Sequence, residues 1–495
     1  MKDSETLDIY EVIIIGAGVI GNSIARELSR FSLKTAVLEK ELDVAFGTSS
    51  RNSGVIHSGI NYEPGTLRAS LNVKGNAMMD NLCSELKVPV NRIGKLTVAL
   101  DSSDLSGLYR QKEQGEANNV PGMELMDNEK MRKIQPGING ILGLWTPTSG
   151  IISPYLLTIA LAENAHLNGT AYHFNSEVAS IIKRNGFYEI TASNGKKFIC
   201  NVLINAAGLH SDEISRMIGL ESPKIWACRG EYYVLDKRLS NALKTLIYPV
   251  PGPNDPGLGI HLTPTVDGNI LIGPSATYIP NEDKEDYRTT AKVMSILREE
   301  AERLLPEIKF SDFIRSFSGN RPKLTPPEIG GNLDFKIKDC GDGYIELIGI
   351  ESPGLTSSPA IAEMIRDMVK KYLVLTPKEN FRAERPGFTG YFSSLPTEQK
   401  IELVQEYPEY GEIFCRCEGI TKKEIRDAIE NPLGTTSLTG IKLRSRAMMG
   451  RCQGGFCVPR IIGMLRDDYG YDPKQYMQSS DISPMFSGSV RNYTK

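Results

Sequence analysis

Four cysteines near the C-terminus have the types and spacing for metal chemistry. Cys415 and Cys417 lie in Phe414-Cys415-Arg416-Cys417-Glu418, and Cys452 and Cys457 in Gly450-Arg451-Cys452-Gln453-Gly454-Gly455-Phe456-Cys457. The pattern is C-x-C, 34 intervening residues, then C-x4-C, and it takes up half of the chain's eight cysteines. Clustered thiolates bind soft metals or iron–sulfur centres. Zinc sites of four cysteines favour C-x2–4-C knuckles, which the C-x-C with its long gap fits poorly. Disulfide pairing needs an oxidising compartment. Cys83, Cys200, Cys228 and Cys340 are scattered singly, in the manner of buried small hydrophobes.

The other end of the chain points to a dinucleotide. A β-branched run, Glu11 to Ile15, ends at Gly16, and Gly16, Gly18 and Gly21 match G-x-G-x-x-G. Apolar positions then recur at helical spacing through Ile20, Ile24 and Leu28. A second strand, Leu33 to Leu38, ends at Glu39. Gly16 permits the tight turn, Gly18 lets a pyrophosphate approach, and Gly21 lets helix pack on strand. The helix N-terminus faces the phosphates, and the Glu39 carboxylate can accept the ribose hydroxyls. Glu39 also repels a 2′-phosphate. FAD and NAD share this fingerprint.

The rest of the composition narrows the class. A net charge of −3 and a pI near 6.1 give no nucleic-acid signature. No apolar run approaches the roughly 18 residues of a membrane span. Met1-Lys2-Asp3-Ser4-Glu5 has no basic n-region, so no signal peptide is read there. The expectation is a cytoplasmic protein, with a peripheral position on the inner membrane face left open. At 495 residues, the length prior gives about three domains.

The segment Gly47-Thr48-Ser49-Ser50-Arg51-Asn52-Ser53-Gly54-Val55-Ile56-His57-Ser58-Gly59 follows the strand–helix–strand unit. It resembles the D-amino-acid-oxidase-like flavoprotein superfamily, in the branch with glycerol-3-phosphate dehydrogenases and oxidases and L-2-hydroxyglutarate dehydrogenases. In that branch such a segment wraps the FAD pyrophosphate and brings a histidine to the flavin. The resemblance therefore implies FAD, held by Thr48, Ser49, Arg51, Asn52, Ser53 and Gly54. Gly150 to Tyr155, Val202 to Gly208 and Gly259 to Gly268 also match, so it spans residues 10–372 and adds Ala207 and Gly208. Gly349 to Pro359 completes it. There Ser358 reads as an N-cap and Pro359 as the first helical position, followed by Ile361, Met364, Ile365, Met368 and Val369 at helical spacing. The resemblance brings Gly354, Leu355 and Thr356 to the flavin, where a helix N-terminus favours the anionic reduced form.

A flavin that takes hydride needs a base for the hydroxyl proton. His57 is the candidate, since imidazole titrates near working pH. Arg321, in Ser318-Gly319-Asn320-Arg321-Pro322, resembles the family arginine that holds the substrate anion. Its fork suits phosphate or carboxylate equally. Arg229 and His261 are weaker candidates for the same pocket. His166, His173 and His210 carry no motif.

The cysteine module resembles the bacterioferritin-associated-ferredoxin-like [2Fe–2S] domain of anaerobic glycerol-3-phosphate dehydrogenase catalytic subunits. Four thiolates complete such a centre, and Gly454-Gly455 lets backbone amides turn toward sulfur. Thr421 and Glu424 form a capping box for a helix through about Glu430, and Pro459 starts another through about Asp467. The expected fold is α/β and α+β. A Rossmann-type FAD-binding domain (1–75, 146–221, 331–372) carries an inserted antiparallel-sheet substrate domain (76–145, 222–330) with a helix over 289–305. A connector (373–411), a small, mostly helical [2Fe–2S] domain (412–470) and a tail (471–495) follow. The expected function is an FAD-dependent dehydrogenase for a small anionic alcohol, foremost sn-glycerol 3-phosphate. Its electrons pass through the cluster to a partner subunit, a second flavoprotein or a membrane-anchored protein. L-2-hydroxyglutarate or another 2-hydroxy acid is the first alternative. Amine or amino-acid oxidation, or a non-catalytic electron-transfer subunit, come next.

Overall fold

The computed structural model describes residues 7–251, 259–304, 308–386, 390–434 and 437–488. The residues read for a signal peptide, residue 305 of the expected helix and the end of the tail lie outside them.

The first sheet has eight strands, with Leu7–Ile15 inside it. Val12 sits opposite Thr35 on one side and Val202 on the other, both in parallel register. Tyr344–Ile348 continues the parallel set. Strands covered on both faces read as continuous apolar runs, and Val12, Ile13 and Ile14 are fully buried. On one face Val12 and Ile14 pack against Ile24 and Leu28 of helix Val19–Leu28 and Ile361 and Ile365 of helix Gly354–Val369. On the other, Ile13 and Ile15 pack with Tyr188, Leu203 and Ile214.

The second sheet has nine strands. Its longest pairing, Trp226–Leu235 with Phe313–Lys323, is antiparallel and sets Cys228 opposite Arg321. The sheet is mixed, not purely antiparallel as expected, because Leu246–Pro249 runs parallel to Lys95–Ala99. These two strands are far apart in the chain, so no hairpin fixes their relative direction. The expected boundary at 75/76 falls inside one helix, Leu67–Leu86. Gly75 explains why that helix stays with the flavin unit. A Cβ there would lie 2.1 Å from the Thr356 carbonyl oxygen, so only glycine lets it approach Gly354–Val369 so closely.

Two helix starts differ from expectation. The helix after Pro353 begins at Gly354, and Pro359 lies inside it. Ser358 is buried and its hydroxyl caps nothing. Thr356 instead anchors the first turn by accepting the His57 amide at 3.0 Å. The last long helix begins at Cys457, two residues before Pro459. The Thr421–Glu424 capping box is formed, over Lys422–Ile429.

The cysteine module has its own core, in which Phe414, Ile425, Ile441 and Ile461 pack together. Parts of the expected connector and tail join it. The Phe392 amide donates to Glu424 Oε1 at 2.9 Å, and Tyr476 is buried in the core. No helix among the described residues is long and apolar enough to cross a membrane.

Candidate active site and cluster centre

A long cavity runs from Glu39 and the Gly16–Gly18 turn, past Thr48 to Ser53, to His57, His261 and Arg321. Its first end is shaped by glycine. Gly16 has φ +102°, and a Cβ would lie 2.6 Å from the Ala206 carbonyl oxygen. A Cβ on Gly21 would lie 1.9 Å from the Gly16 carbonyl oxygen, so Gly21 serves packing and does not line the cavity. Glu39 Oε2 accepts the Ala17 amide at 2.7 Å, and Oε1 the Glu41 amide at 3.0 Å. Burial raises its pKa. Ser49 Oγ accepts the Val19 amide at 2.8 Å. Ala207, Gly208, Gly354 and Leu355 also line the cavity. No side chain caps the Gly354–Val369 helix, so its N-terminus opens toward the cavity. Gly54 and Thr356 lie behind the wall. Thr356 Oγ1 donates to the Val55 carbonyl at 3.4 Å, and Gly54 has no room for a side chain beside the Ile152 carbonyl.

The far end gathers chemistry from distant segments. The His57 carbonyl accepts from Asn72 and Asn76 at 3.1 and 2.9 Å. Its Nε2 lies 3.3 Å from Ser352 Oγ, and its buried Nδ1 has no partner among the described residues. Burial, then the charges of Lys95, His261 and Arg68, push its pKa down to about 3. His261 shares Nδ1 with the Gly259 carbonyl at 2.9 Å and stacks on Tyr248 at 3.8 Å between ring centroids. Its Nε2 is buried without a partner, and burial lowers its pKa to about 3. Arg321 donates Nη2 to the Ser275 carbonyl, while its buried Nε has no partner. Arg321 therefore enters the cavity with no ion-pair partner among the described residues, and the carboxylate that acts on it from the cavity wall, Glu351, is itself bound to Lys323 at 3.1 Å.

Arg229 does not join this group. It is absent from the cavity wall, and its guanidinium meets Asp286 at 2.9 Å and Glu231 at 3.4 Å. Two neighbouring carboxylates already compensate that charge. Sequence reasoning also missed several neighbours. Ser352 lay in a quoted motif, but nothing marked it as the partner of His57. Tyr62 approaches both Ser352 Oγ, at 3.5 Å, and the His57 ring. Arg68 donates to the Ser352 carbonyl and lines the cavity. Lys95 is 1% exposed, its ammonium 5.1 Å from the Tyr248 ring centroid, and burial pushes its pKa down to about 7.

The orphaned polar atoms test the fit of a ligand. His57 Nδ1, His261 Nε2 and Arg321 Nε are each the kind of group that a fold pairs when it buries it. All three residues line the cavity, where these atoms are free to pair with a bound molecule. The cavity's length, with a carboxylate and a glycine turn at one end, suits a flavin dinucleotide.

At the second centre the sulfurs sit in two pairs. Cys415 shares a hydrogen bond with Cys457, and Cys417 with Cys452. The pairing with Cys457 pulls the Cys415 pKa down to about 6 and pushes that of Cys457 up. Backbone amides of Glu418 and Met448 point at Cys415, and those of Phe456 and Gly454 at Cys452, which favours thiolate. Among the described residues no three candidate ligands converge as they would on one metal ion. Two pairs of thiolates suit a centre with two irons. Cys415 and Cys457 are buried, whereas Cys417 and Cys452 are exposed.

The FAD dependent oxidoreductase family model matches residues 11–368. The chain belongs to that family. A BFD-like [2Fe-2S] binding domain model matches residues 413–467, so the cofactors are FAD and a [2Fe–2S] cluster. A glycerol 3-phosphate dehydrogenase of Caloramator mitchellensis is 39% identical over 98% of this chain and 99% of that protein. The human mitochondrial L-2-hydroxyglutarate dehydrogenase is 31% identical over 74% of this chain and 90% of its own length. Among solved structures, the dithionite-reduced L-alpha-glycerophosphate oxidase of Mycoplasma pneumoniae with FAD bound has a TM-score of 0.71 at 30% identity. It covers 77% of this chain and all of its own. The chain is an FAD-dependent oxidoreductase with an added iron–sulfur module.

Proposed function

We propose that the protein oxidises sn-glycerol 3-phosphate to dihydroxyacetone phosphate and sends the electrons through the cluster to an external protein acceptor. One observation carries the substrate reading: Arg321 enters the cavity with an unpaired Nε and no ion-pair partner among the described residues, near His261, a neutral histidine whose Nε2 is also unpaired. Whole-length similarity to a glycerol 3-phosphate dehydrogenase that shares nearly the whole chain supports it.

FAD, when bound, supplies the hydride acceptor. The protein's own groups handle charge and protons. Arg321 binds the substrate anion, since a guanidinium fork pairs with phosphate through charge-assisted hydrogen bonds. Arg68 holds Ser352 by its carbonyl, and Ser352 Oγ meets His57 Nε2. The imidazole is neutral at working pH, so it can accept the substrate hydroxyl proton as the hydride leaves. Its depressed basicity comes from burial among cations. A bound anion offsets those cations and raises the basicity when substrate is present.

Anaerobic mixing with a panel of anionic alcohols tests the reading. Glycerol 3-phosphate is expected to bleach the flavin fastest. Faster bleaching by L-2-hydroxyglutarate moves the assignment to the 2-hydroxy acids, and faster bleaching by an amino acid moves it to C–N oxidation.

A further inference from the structure

The cysteine module meets the rest of the molecule through apolar contacts of Leu433, Leu443 and Met449 and through two buried arginines, Arg444, which pairs with Asp43 and Glu163, and Arg446. Arg446 follows helix Leu438–Ser445 at φ +62°, so the chain reverses there and turns the guanidinium outward from the module. Its Nε meets Glu418 Oε2 at 2.9 Å. Its Nη1 donates to Tyr155 OH at 3.0 Å and to Asp267 Oδ2, and its Nη2 to Asn269 Oδ1 at 3.0 Å. Lys237 reaches the same Glu418 oxygen at 2.6 Å. The side chains of Arg446, Glu418 and Asp267 are 7%, 2% and 8% exposed. Two cations and two carboxylates balance, so this is a joint and not an anion site.

Each partner leads to a functional centre. Glu418 directly follows Cys417, and its amide points at Cys415. Tyr155 opens helix Pro154–Leu167. The strand before that helix pairs Ile151 with Val55 and Gly150 with Ile56, and Ile56 directly precedes His57. Asp267 and Asn269 form the turn between the strand that begins at His261 and the strand Ile270–Gly273. One planar fork therefore spans the cluster loop, the flavin-side strand and the substrate-side sheet.

We propose that Arg446 is a positioning residue for electron transfer, fixing the Cys415–Glu418 loop, and so the cluster, against the flavin-bearing body. The module then receives electrons from a docked position and does not swing on its connector. Domains joined by a connector are expected to move relative to one another unless their interface is large and hydrophobic. Here the buried, balanced polar joint adds to the apolar contacts of Leu433, Leu443 and Met449 with the flavin unit's core. Arginine suits the task because its donors are held in a fixed plane. The inference rests on the reading above that electrons leave the flavin through the cluster. Each transfer takes one electron from reduced flavin and turns one ferric iron ferrous. A flavin proton leaves to solvent, and an external one-electron acceptor resets the cluster.

The test uses the anaerobic holoprotein, with the flavin photoreduced so that no substrate is needed. R446Q breaks the joint from the module's side. D267N weakens it from the substrate sheet and leaves the module's own packing untouched. Iron and sulfide content, hydrogen exchange over residues 415–418, and the growth of the cluster's electron-paramagnetic signal are measured. Loss of one partner of a buried pair shifts docking by roughly a hundredfold or more. Both variants are expected to retain iron and sulfide, to exchange faster at 415–418, and to develop the signal on the order of tenfold more slowly. R446K is expected not to restore the rate, since one ammonium cannot hold four acceptors in a plane. If R446Q loses iron, D267N decides. Wild-type exchange and wild-type signal growth in D267N overturn the proposal. Failure of every substrate to bleach the flavin would overturn the substrate reading alone, because photoreduction still reports on the joint.

Discussion

Arg321 and Arg446 are both arginines drawn into the interior, and they are treated in opposite ways. Arg446 has a partner for each arm of its fork, two of them carboxylates. Arg444, two residues before Arg446, is likewise paired with Asp43 and, at 3.2 Å, with Glu163. Arg321 has one carbonyl and an orphaned Nε. A buried charge normally demands compensation within the fold. Where the fold supplies it, the arginine holds parts together. Where the fold withholds it, the arginine is left free to take an anionic ligand, as proposed for Arg321. The same division separates the histidines. His210 is paired with Glu213 at 2.9 Å and its pKa is raised to about 9, chiefly by that bond, whereas His57 and His261 have no carboxylate partner among the described residues and burial lowers them.

Substitutions at the uncompensated end should change substrate chemistry, and substitutions at the compensated end should change stability or the docking of the cysteine module. The largest effect is expected for His57→Ala. Losing a general base slows flavin reduction about 10²–10⁴-fold, read by anaerobic stopped flow, with FAD content unchanged. Reduction at the wild-type rate would hand the proton to another group or to water.

Arg444→Gln is expected to leave Asp43 and Glu163 buried and short of positive charge. Breaking a buried pair costs about 3–5 kcal/mol. The loss should appear as a lower melting temperature of the holoprotein, while the substrate Kd stays unchanged. A shifted Kd with an unchanged melting temperature would erase the contrast drawn here.

Arg321→Met is expected to do the reverse. A charge-assisted hydrogen bond contributes about 1.5–3 kcal/mol, roughly ten- to a hundredfold in affinity. The variant should bind substrate more weakly by that factor in flavin-perturbation titrations. Because it removes a buried cation that has no ion-pair partner among the described residues, its melting temperature without substrate should hold or rise.

The smallest effect is a pH slope. His57 and His261 have folded pKa values of about 3, below the unfolded value near 6.5. Between those limits the unfolded chain binds more protons than the folded one. Their contribution to stability is therefore complete above about pH 6.5 and is lost as pH falls toward 3. His261→Gln should flatten the fall in melting temperature between pH 6.5 and 4.5, compared with wild type. An identical slope would mean that His261 is already charged in the fold.

Much of this was legible in the chain, unevenly. Gly16, Gly18, Gly21 and Glu39 announce their site because each acts within one strand–turn–helix unit, where spacing alone sets geometry. The Thr421–Glu424 box is local in the same way. Helix starts were less legible. Ser358 and Pro359 have the right types for an N-cap, but a contact between Thr356 and the distant His57 amide moved the start to Gly354. Residue type alone did not separate Arg229 from Arg321; the resemblance put Arg321 first and left Arg229 as a weaker candidate for the same pocket. Asp286 decides between them, and it lies 57 residues from Arg229.

The sequence by itself determined the two cofactor sites, because a dinucleotide turn and a set of four thiolates are written in residues close in number or rigid in type. Tertiary structure alone decided which charges are free. Ser352 reaches His57 across 295 positions, and Arg446 reaches Asp267 across 179. Compensation of a buried charge depends on which distant side chains the fold brings within a few ångströms, and no local pattern records that.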